Sequence, residues 1–319
     1  MRMSTEATPH VSVLVVAYHS TDFIRQCVAG IAAAAPTTPH EILMIDNGGG
    51  DTEALVRAEL PQVRIVPSEG NIGFGAGNNR CAAHARAPLL LLVNPDAVPQ
   101  PGAIDRLVAF ARATPEAAAW GGRSYDPAGN LDAANFLALP TPGDFVLSVV
   151  SAGRLRRGGL PAEATTHGPV DVLNGGFMMV RADVWREIGG FDESFFLYSE
   201  EVDLFKRIRD KGYAVLVDPE VKVMHDAGSG HSLSAGRIMF MTIGRMHYAR
   251  KHYSPGGAIV AGWGIWFAAL KYAVLGKLLA GVVPGKRERF KTVSRAWTPI
   301  VRERQRWWYG YRTGNEGRS

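Results

Sequence analysis

The chain has 319 residues, of which 46% are hydrophobic and 20% are charged, so it can bury a large core and does not have the composition of a disordered protein. Its net charge of +5 is concentrated near the end, where residues 271–319 hold twelve Lys or Arg and three Glu, leaving 23 basic and 27 acidic residues elsewhere. Two cysteines, Cys27 and Cys81, are too few for a disulfide framework or a cysteine-based metal site, and they indicate a reducing compartment.

Short apolar runs alternate with helical patterns in the first part of the chain. The apolar runs, which predict strands, cover residues 11–18, 41–47, 63–67 and 89–96. The helical patterns that follow them cover residues 22–35, 51–60, 75–86 and 102–114. This alternation predicts an α/β fold with a mostly parallel sheet flanked by helices. The first run is β-branched and lacks a cleavage site, so we expect a strand there and not a signal peptide.

Polar residues close several of the predicted strands. They are Tyr18 and His19, Asp46 and Asn47, and Asn94 and Asp96. Ligands bind beyond the carboxyl ends of the strands in a sheet of this kind. Asp96 can hold Mg²⁺ or Mn²⁺ against a diphosphate, because hard cations prefer oxygen ligands. Its alternative role is that of a turn-forming Asp.

The glycine run NIGFGAGNN, at residues 71–79, is similar to a dinucleotide-binding fingerprint. The spacing fails because Asn78 stands where the last glycine should be, and the run follows the third strand and not the first. We therefore expect the glycines to permit a tight turn and a close approach of the backbone to a ligand.

The regular pattern dissolves between residues 135 and 168, which are rich in Pro, Gly and Ala and include the basic residues Arg154, Arg156 and Arg157. We expect a mobile or acceptor-side excursion here. Beyond it, residues 170–192 predict a strand, a turn and a helix, residues 199–212 predict a helix, and residues 213–226 predict two extended pieces.

An acidic cluster, Glu200, Glu201 and Asp203, opens the predicted helix at 199–212. Acidic side chains at a helix start also complement the helix dipole without any catalytic role. The ordered string GGFD, FFLYS and then the acids is more than a generic helix start needs, and it favours a functional role. His225 closes a later strand and can complete a metal site with Asp96, although a lone His is more often a structural hydrogen-bonding residue.

The character of the chain changes after about residue 254, which predicts a domain at 1–253 and a helical, basic segment at 254–319. Residues 256–270 carry no charge, and only Lys271 and Lys277 interrupt the apolar sequence before Pro284. A membrane span needs about 20 apolar residues, and a central Lys costs about 3 kcal/mol. We expect helices in the membrane interface, with Trp263, Trp266 and the Lys side chains at headgroup level on an anionic surface. The alternative is helices packed on the main domain or on a second subunit of a homo-oligomer, and the apolar stretch favours a membrane over nucleic acid as the partner.

Six ordered motifs between residues 10 and 253 resemble those of family 2 glycosyltransferases, most closely the bacterial rhamnosyltransferases that act on polyprenyl-diphosphate-linked sugars. The motifs are VSVLVVAYHS, EILMIDNGGGD, NIGFGAGNN, LLLLVNPDA, the long run from NGGFMM to RDKGY, and VMHDAGS. The resemblance implies a GT-A fold, a nucleotide diphosphate sugar donor, Mg²⁺ or Mn²⁺, and inversion at the anomeric carbon.

The resemblance also implies roles for individual residues. It places Ala17, Tyr18 and Asp46 at the nucleoside, with Asn71, Gly73, Asn78 and Asn94 on the donor side and Asn174, Gly175, Gly176 and Glu200 on the acceptor side. Asp96 matches the last acid of the metal-binding DxD motif, whose first acid is here Asn94, so coordination by one carboxylate with help from His225 is implied. Glu201 matches the Asp that the family uses as catalytic base, and Asp203 is the reserve candidate.

The implied reaction is a single in-line displacement, with L-rhamnose from dTDP-rhamnose as the expected donor sugar over a UDP-sugar. The expected acceptor is a lipid-linked or other membrane-held glycan in cell-envelope polysaccharide synthesis, at the cytoplasmic face of the membrane, where the protein is peripheral. Two other functions stay open: a sugar-phosphate nucleotidyltransferase, and a non-catalytic, membrane-recruited sugar-nucleotide-binding protein. The first normally has a Gly-rich phosphate loop after the first strand, which AYHSTD lacks.

Overall fold

The computed structural model describes residues 8–150, 158–226 and 234–311. Arg154, Arg156 and Arg157, the basic residues predicted to lie in an acceptor-side excursion, fall outside this described part. Within it, Cys27 and Cys81 are both buried free thiols.

One central sheet contains the nine strands that are described. They are β1 (Val11–Ala17), β2 (His40–Asp46), β3 (Val63–Ile65), β4 (Leu89–Val93), β5 (Ala97–Pro99), β6 (Ala117–Tyr125), β7 (Gly168–Pro169), β8 (Phe177–Arg181) and β9 (Ala214–His225). The strand order is β3-β2-β1-β4-β8-β6-β9-β5, and β7 pairs with β9. The apolar residues of these strands form one hydrophobic cluster on each face of the sheet, where helices cover them.

Eleven helices are described alongside the sheet. They are α1 (Ile24–Ala34), α2 (Asp51–Glu59), α3 (Phe74–Ala83), α4 (Ala103–Ala113), α5 (Pro142–Val150), α6 (Ala182–Ile188), α7 (Glu200–Asp210), α8 (Ala235–His252), α9 (Pro255–Val282), α10 (Arg287–Arg302) and α11 (Arg304–Trp307). Short 3-10 turns lie at Ala133–Phe136 and Pro284–Lys286.

The first half of the chain folds as its pattern predicts, with parallel pairing of β1 to β2 and β4, and of β2 to β3. The second half differs, because β8 runs antiparallel to both β4 and β6, and β5 runs antiparallel to β9. The two extended pieces predicted at 213–226 form the single strand β9, which continues through Pro219. The central sheet flanked by helices is thus confirmed as α/β, with its antiparallel pairs confined to the later strands.

Two antiparallel pairings bring distant strand ends together. Val93, the last residue of β4, pairs with Phe177, the first residue of β8. Ala97 of β5 pairs with His225, the last residue of β9. Asp96 and the Asn174–Gly176 turn therefore meet beside His225, at the edge of the sheet where β1 and β2 also end.

The C-terminal helices form a third hydrophobic cluster that joins both sides of the predicted boundary at residue 253. It contains Phe195 and Phe196 from the segment before α7, Met246 of α8, and Ile300 and Trp307 near the end. Part of the expected excursion at 135–168 is helix α5, whose Phe145 packs in the same cluster. Regular structure arises there because the apolar residues of α5 have α9 to pack against.

Helix α9 has an unusual distribution of side-chain size. Its buried face is mostly Gly and Ala, including Gly264, whose added Cβ would lie 2.6 Å from the carbonyl oxygen of Phe145. Its exposed face carries large apolar side chains: Ile259, Val260, Trp263, Phe267, Val274, Leu275, Leu278, Leu279 and Val282. Among the described residues α9 is the one helix long and apolar enough to cross a membrane, and 39% of its most apolar window is buried in the protein.

Candidate active site

Asp96 and His225 lie side by side at the edge of the sheet. The Oδ1 atom of Asp96 is 3.3 Å from Nε2 of His225, and the backbone N–H of Asp226 donates to the carbonyl of Asp96. The Nδ2 atom of Asn94 is 3.4 Å from the same His225 nitrogen. The β5–β9 pairing therefore creates the pair of donors that was expected for a metal.

The donor set fits a divalent cation that also binds a substrate. Two adjacent ligands of one octahedral cation, each about 2.1 Å from the ion, lie about 3 Å apart, close to the separation of the Asp96 and His225 atoms. No group of three or more His, Cys, Asp or Glu able to hold a metal is found in the described part of the chain. Most ligands would then come from a diphosphate and water, as Mg²⁺ and Mn²⁺ sites in phosphate-handling enzymes require.

His225 is buried, and it faces a second carboxylate that sequence reasoning missed. Its Nδ1 atom is 3.8 Å from Oδ2 of Asp132. Burial lowers the pKa of His225, but Asp132 and Asp96 outweigh burial and raise this pKa to about 9. The same two carboxylates favour a divalent cation in place of the proton, and Asp132 orients the ring from its far side.

The acids of α7 lie in a buried environment. Glu200 is buried, its Oε2 atom has no hydrogen-bond partner among the described residues, and burial together with the neighbouring Glu201 carboxylate raises its pKa well above the ordinary value. Burial also raises the pKa of Glu201, which remains partly exposed. Since the two carboxylates repel each other, the more deeply buried Glu200 holds a proton more readily than Glu201 does.

A glycine turn connects Glu201 to the metal donors. A Cβ added to Gly175 would lie 3.9 Å from Cβ of Glu201, and one added to Gly176 would lie 2.8 Å from the imidazole of His225. Only glycine fits at Gly176 without moving His225. Asn174 fixes this turn, since its Oδ1 accepts from the N–H of Gly176 and its Nδ2 donates to Ser124.

Asp203 has different surroundings from the two glutamates. It is fully buried, and its carboxylate binds Arg207, Lys251 and His252, each at 2.7 Å. Burial raises the pKa of Asp203, but hydrogen bonds from His252 and Lys251 and the positive charge of Arg207 outweigh burial and lower it overall. Because both oxygens are already engaged with α7 and α8, the contacts indicate a structural role.

The predicted nucleoside residues lie where β1 and β2 end. Ala17 is buried and pairs with Asp46, whereas Tyr18 is 57% exposed. The buried carboxylate of Asp46 accepts from the backbone N–H groups of Gly48 at 2.7 Å and Glu53 at 2.8 Å. Asp46 thus orders the turn into α2, and of these three residues Tyr18 presents the most surface to a ligand.

The first part of the glycine run packs closely against another segment of the protein's own backbone. Gly73 has φ of +89°, and an added Cβ would overlap the carbonyl oxygen of Phe196. Asn71 accepts from the N–H of Gly73, and buried Asn78 donates to the carbonyl of Phe74. The φ of Gly73 and its lack of a side chain let the start of α3 pack against the segment that precedes the acids. Its approach to a ligand stays a prediction.

Asn47 is a further candidate that residue patterns named at a strand end without assigning it a role. Its Nδ2 donates to the carbonyl of Gly73 at 3.0 Å, and its buried Oδ1 has no partner among the described residues. The buried side-chain atoms without a hydrogen-bond partner in that part of the chain are Asn47 Oδ1, Glu200 Oε2 and His225 Nδ1, the last of which has only the 3.8 Å contact to Asp132. Since buried polar atoms normally find partners, their occurrence at this edge indicates a ligand site.

Comparisons with known proteins identify the family of the chain. A family model described as "Glycosyltransferase like family 2" matches residues 9–310. The N-acetylglucosaminyl-diphospho-decaprenol L-rhamnosyltransferase of Mycobacterium tuberculosis is 29% identical over 299 residues, which cover 85% of this chain and 91% of that relative. The rhamnosyltransferase WbbL of Escherichia coli is 23% identical over 228 residues, covering 68% of this chain and 83% of WbbL.

A solved structure shares the fold. The mannosyltransferase PcManGT of Pyrobaculum calidifontis, in complex with GDP-Man and Mn²⁺, matches with a TM-score of 0.58 and 15% identity, covering 94% of this chain and 88% of the other. At this level of identity the match shows the fold alone, and it confirms the GT-A prediction.

Proposed function

The chain belongs to glycosyltransferase family 2, and from this membership we propose that it transfers L-rhamnose, with inversion, from dTDP-rhamnose to a hydroxyl of a lipid-linked glycan. The observation that carries the proposal is the position of the Gly175–Gly176 turn, which has Glu201 against one glycine and His225 against the next. The proposed base and the proposed metal donors are thus separate groups that lie against one turn.

The reaction is a single displacement at the anomeric carbon. Glu201, ionised beside a protonated Glu200, takes the proton of the acceptor hydroxyl as the hydroxyl attacks. An inverting displacement requires the base on the face of the sugar opposite the leaving diphosphate. Glu201 meets this requirement better than Asp96, because Asp96 lies beside His225, where the two side chains would hold the metal that binds the diphosphate.

Asp96 and His225 would hold Mg²⁺ or Mn²⁺, and Asp132 would fix the imidazole of His225 from behind. The cation supplies charge neutralisation for the departing nucleoside diphosphate. Tyr18, Asn47 and the turn ordered by Asp46 lie where β1 and β2 end, and they would hold the nucleoside of the donor. Mn²⁺ in the PcManGT complex supports a divalent cation, without distinguishing Mg²⁺ from Mn²⁺.

The proposed donor and acceptor follow the similar enzymes. Both the mycobacterial and the Escherichia coli relatives are named rhamnosyltransferases, and the mycobacterial one is named for a diphospho-decaprenol carrier. The family match favours glycosyl transfer over the nucleotidyltransferase alternative. The acceptor of this chain is accordingly a polyprenyl-diphosphate-linked sugar used in cell-envelope glycan synthesis.

We place the protein on the cytoplasmic membrane face through α5 and α9. Exposed apolar side chains on α9 continue onto Val146, Leu147 and Val150 of α5, and large exposed apolar patches mark interaction surfaces. The basic helix α10 packs along α9 and supplies Arg and Lys for anionic headgroups. Lys271 also donates to the carbonyl of Ser148 and Trp266 to that of Val301, so both side chains hold α9 to its neighbours.

A transfer assay tests the proposed function. The purified full-length chain is mixed with polyprenyl-diphosphate-linked N-acetylglucosamine and either dTDP-rhamnose or a panel of UDP-sugars, with EDTA, Mg²⁺ or Mn²⁺. We expect metal-dependent transfer from dTDP-rhamnose and a product of inverted anomeric configuration. Retention of configuration, or full activity in EDTA, contradicts the mechanism. Donor binding without transfer or hydrolysis supports the non-catalytic alternative.

A further inference from the structure

A cavity of about 320 Å³ lies beside the acid helix, between α5, α7, α8 and α9. Most of its lining is apolar, with Phe145, Val202, Ile238, Ile265 and Trp297 among the side chains that face it. It is separate from the Asp96–His225 pair, neither of which lines it. An apolar space of this size beside proposed catalytic groups is suited to the apolar part of a substrate.

Arg245 of α8 places a positive charge in this apolar space. Among the described residues it has no ion pair and no hydrogen-bond partner, and burial lowers the pKa of its guanidinium. The one carboxylate in the lining, Asp144, is engaged by the N–H and hydroxyl of Thr141. Arg245 is partly exposed and not fully buried. An arginine keeps its charge in mostly apolar surroundings, so the guanidinium, which has no protein partner in the described part of the chain, is available to an anionic group.

The cavity adjoins the proposed base on one side and the proposed membrane face on the other. Ser199 and Val202, which flank Glu200 and Glu201, line it. Ile265, Ala268 and Tyr272 of α9 also line it, and the outward side chains of α9 form the exposed apolar surface. A lipid carrier that extends from the bilayer into this cavity would therefore present its head near Glu201.

Resting on the proposed function, we propose that this cavity is the acceptor-lipid site, in which Arg245 binds the diphosphate and the apolar lining holds the first units of the polyprenyl chain. The apolar lining and the single cation match a ligand with one anionic end and one apolar end. A nucleotide donor does not match this lining, because its base and ribose need polar partners.

Binding measurements on the full-length protein test the site without requiring sugar transfer. Farnesyl diphosphate is the probe, farnesol and inorganic pyrophosphate are the partial ligands, and titration calorimetry is the readout. We expect farnesyl diphosphate to bind at least tenfold more tightly than either partial ligand. Equal affinity for pyrophosphate would overturn the lipid assignment and show a simple phosphate site.

Matched variants test which residues of the cavity bind farnesyl diphosphate. Arg245→Gln should weaken farnesyl diphosphate binding about tenfold to a hundredfold, the loss expected for a charge-assisted contact. Arg245→Lys should retain part of the affinity. Arg250→Gln, which removes the same charge from an exposed position of the same helix, should have no effect. Ala268→Leu, which fills part of the cavity, should weaken binding of farnesol and farnesyl diphosphate but not of pyrophosphate.

Donor affinity separates this site from the donor site. Binding of dTDP-rhamnose should be the same in wild type and Arg245→Gln, while KM for the lipid acceptor rises in the variant. The proposal is overturned if Arg245→Gln binds farnesyl diphosphate as wild type does, or if it loses dTDP-rhamnose affinity to the same extent. Farnesyl diphosphate binding that depends on Arg245 in a protein without any transferase activity would preserve the site and reject the proposed function.

Discussion

At the scale of single residues, the site divides into groups whose hydrogen bonds are complete and groups that lack a partner. Asp46, Asn78 and Asp203 are buried with their polar atoms engaged by the protein. Glu200 and Asn47 each keep a buried oxygen without a partner in the described part of the chain. Polar side chains that are hydrogen-bonded to the protein shape the site. Side-chain atoms without a hydrogen-bond partner are the ones available to substrates.

Asp96→Ala should abolish metal-dependent donor binding, because the cation loses the carboxylate that adjoins His225. His225→Ala should give a smaller loss of the same kind. Calorimetric titration of dTDP-rhamnose with and without Mn²⁺ measures both effects. Wild-type donor affinity and transfer in Asp96→Ala would show that the metal binds elsewhere.

Asp203→Asn should destabilise the fold and leave the transfer rate of the folded protein largely unchanged. Breaking a buried ion pair costs about 3 kcal/mol, and Asp203 pairs with Arg207 and Lys251 and also contacts His252. The pKa of Asp203 is lowered in the folded state, so its contribution to stability is present above the unfolded-state pKa and is lost as pH falls through the folded one.

Urea unfolding at several pH values checks this. The difference in free energy of unfolding between wild type and Asp203→Asn should be full at neutral pH and shrink in acid. A pH-independent difference, or none at neutral pH, would show that the contacts of Asp203 with Arg207, Lys251 and His252 do not stabilise the fold.

At the scale of elements, the backbone before α7 is held in an unfavourable conformation by α8. Tyr198 and Ser199 have φ of +68° and +72°, in the left-handed region that side chains rarely adopt. A Cβ added to Gly244 of α8 would overlap the carbonyl oxygen of Tyr198. The glycine thus allows α8 to pack directly on the turn that aims Glu200 and Glu201.

Gly244→Ala should therefore reduce transfer at least tenfold, since displacing the turn moves the base. Gly236→Ala is the matched control, because a Cβ at Gly236 of the same helix meets nothing within 4 Å, and in a helix Ala is favoured over Gly by up to about 1 kcal/mol. The measurement is the rate of sugar transfer by each variant, normalised to the amount of folded protein. Equal transfer rates in the two variants would show that the packing of α8 on the turn does not position Glu200 and Glu201.

The sequence predicted most of the first half of the fold and the edge of the sheet where the polar residues cluster, since each strand there is a continuous apolar run. It did not predict that Asp132 would face His225, because that contact joins a loop after β6 to the end of β9. The three-residue strand β5 is too short to show a pattern, although it brings Asp96 to His225. The cavity around Arg245 was also missed, because periodicity reports which face of a helix is apolar and not whether neighbours fill the space.

At the scale of the whole molecule, the exposed apolar face of α5 and α9 is the surface that we propose contacts the membrane. Truncation at Ser254 would remove Ile300 and Trp307 from the cluster that supports α8, so it would disturb the catalytic part as well. Substitutions on the exposed face alone are the cleaner test.

Replacing Leu275, Leu278 and Val282 together with Ser should weaken binding to anionic vesicles while leaving the fold intact, because all three side chains are exposed. Co-sedimentation with vesicles containing phosphatidylglycerol, at low and moderate salt, measures this. The mutant should retain dTDP-rhamnose binding. If the mutant sediments like wild type, the membrane contact lies outside this face.

The most direct test of the central claim is the rate of sugar transfer by Glu201→Gln, measured beside its donor affinity and its pH profile. Gln keeps the shape of the side chain and cannot accept a proton, so we expect donor affinity to survive while transfer falls by roughly 10² or more. Glu201→Asp should retain part of the rate. Wild-type transfer should also fall as pH is lowered through the raised pKa of Glu201, since the base must be ionised. Near-wild-type transfer by Glu201→Gln, together with an inactive but folded Asp203→Asn, would contradict the account and identify Asp203 as the base.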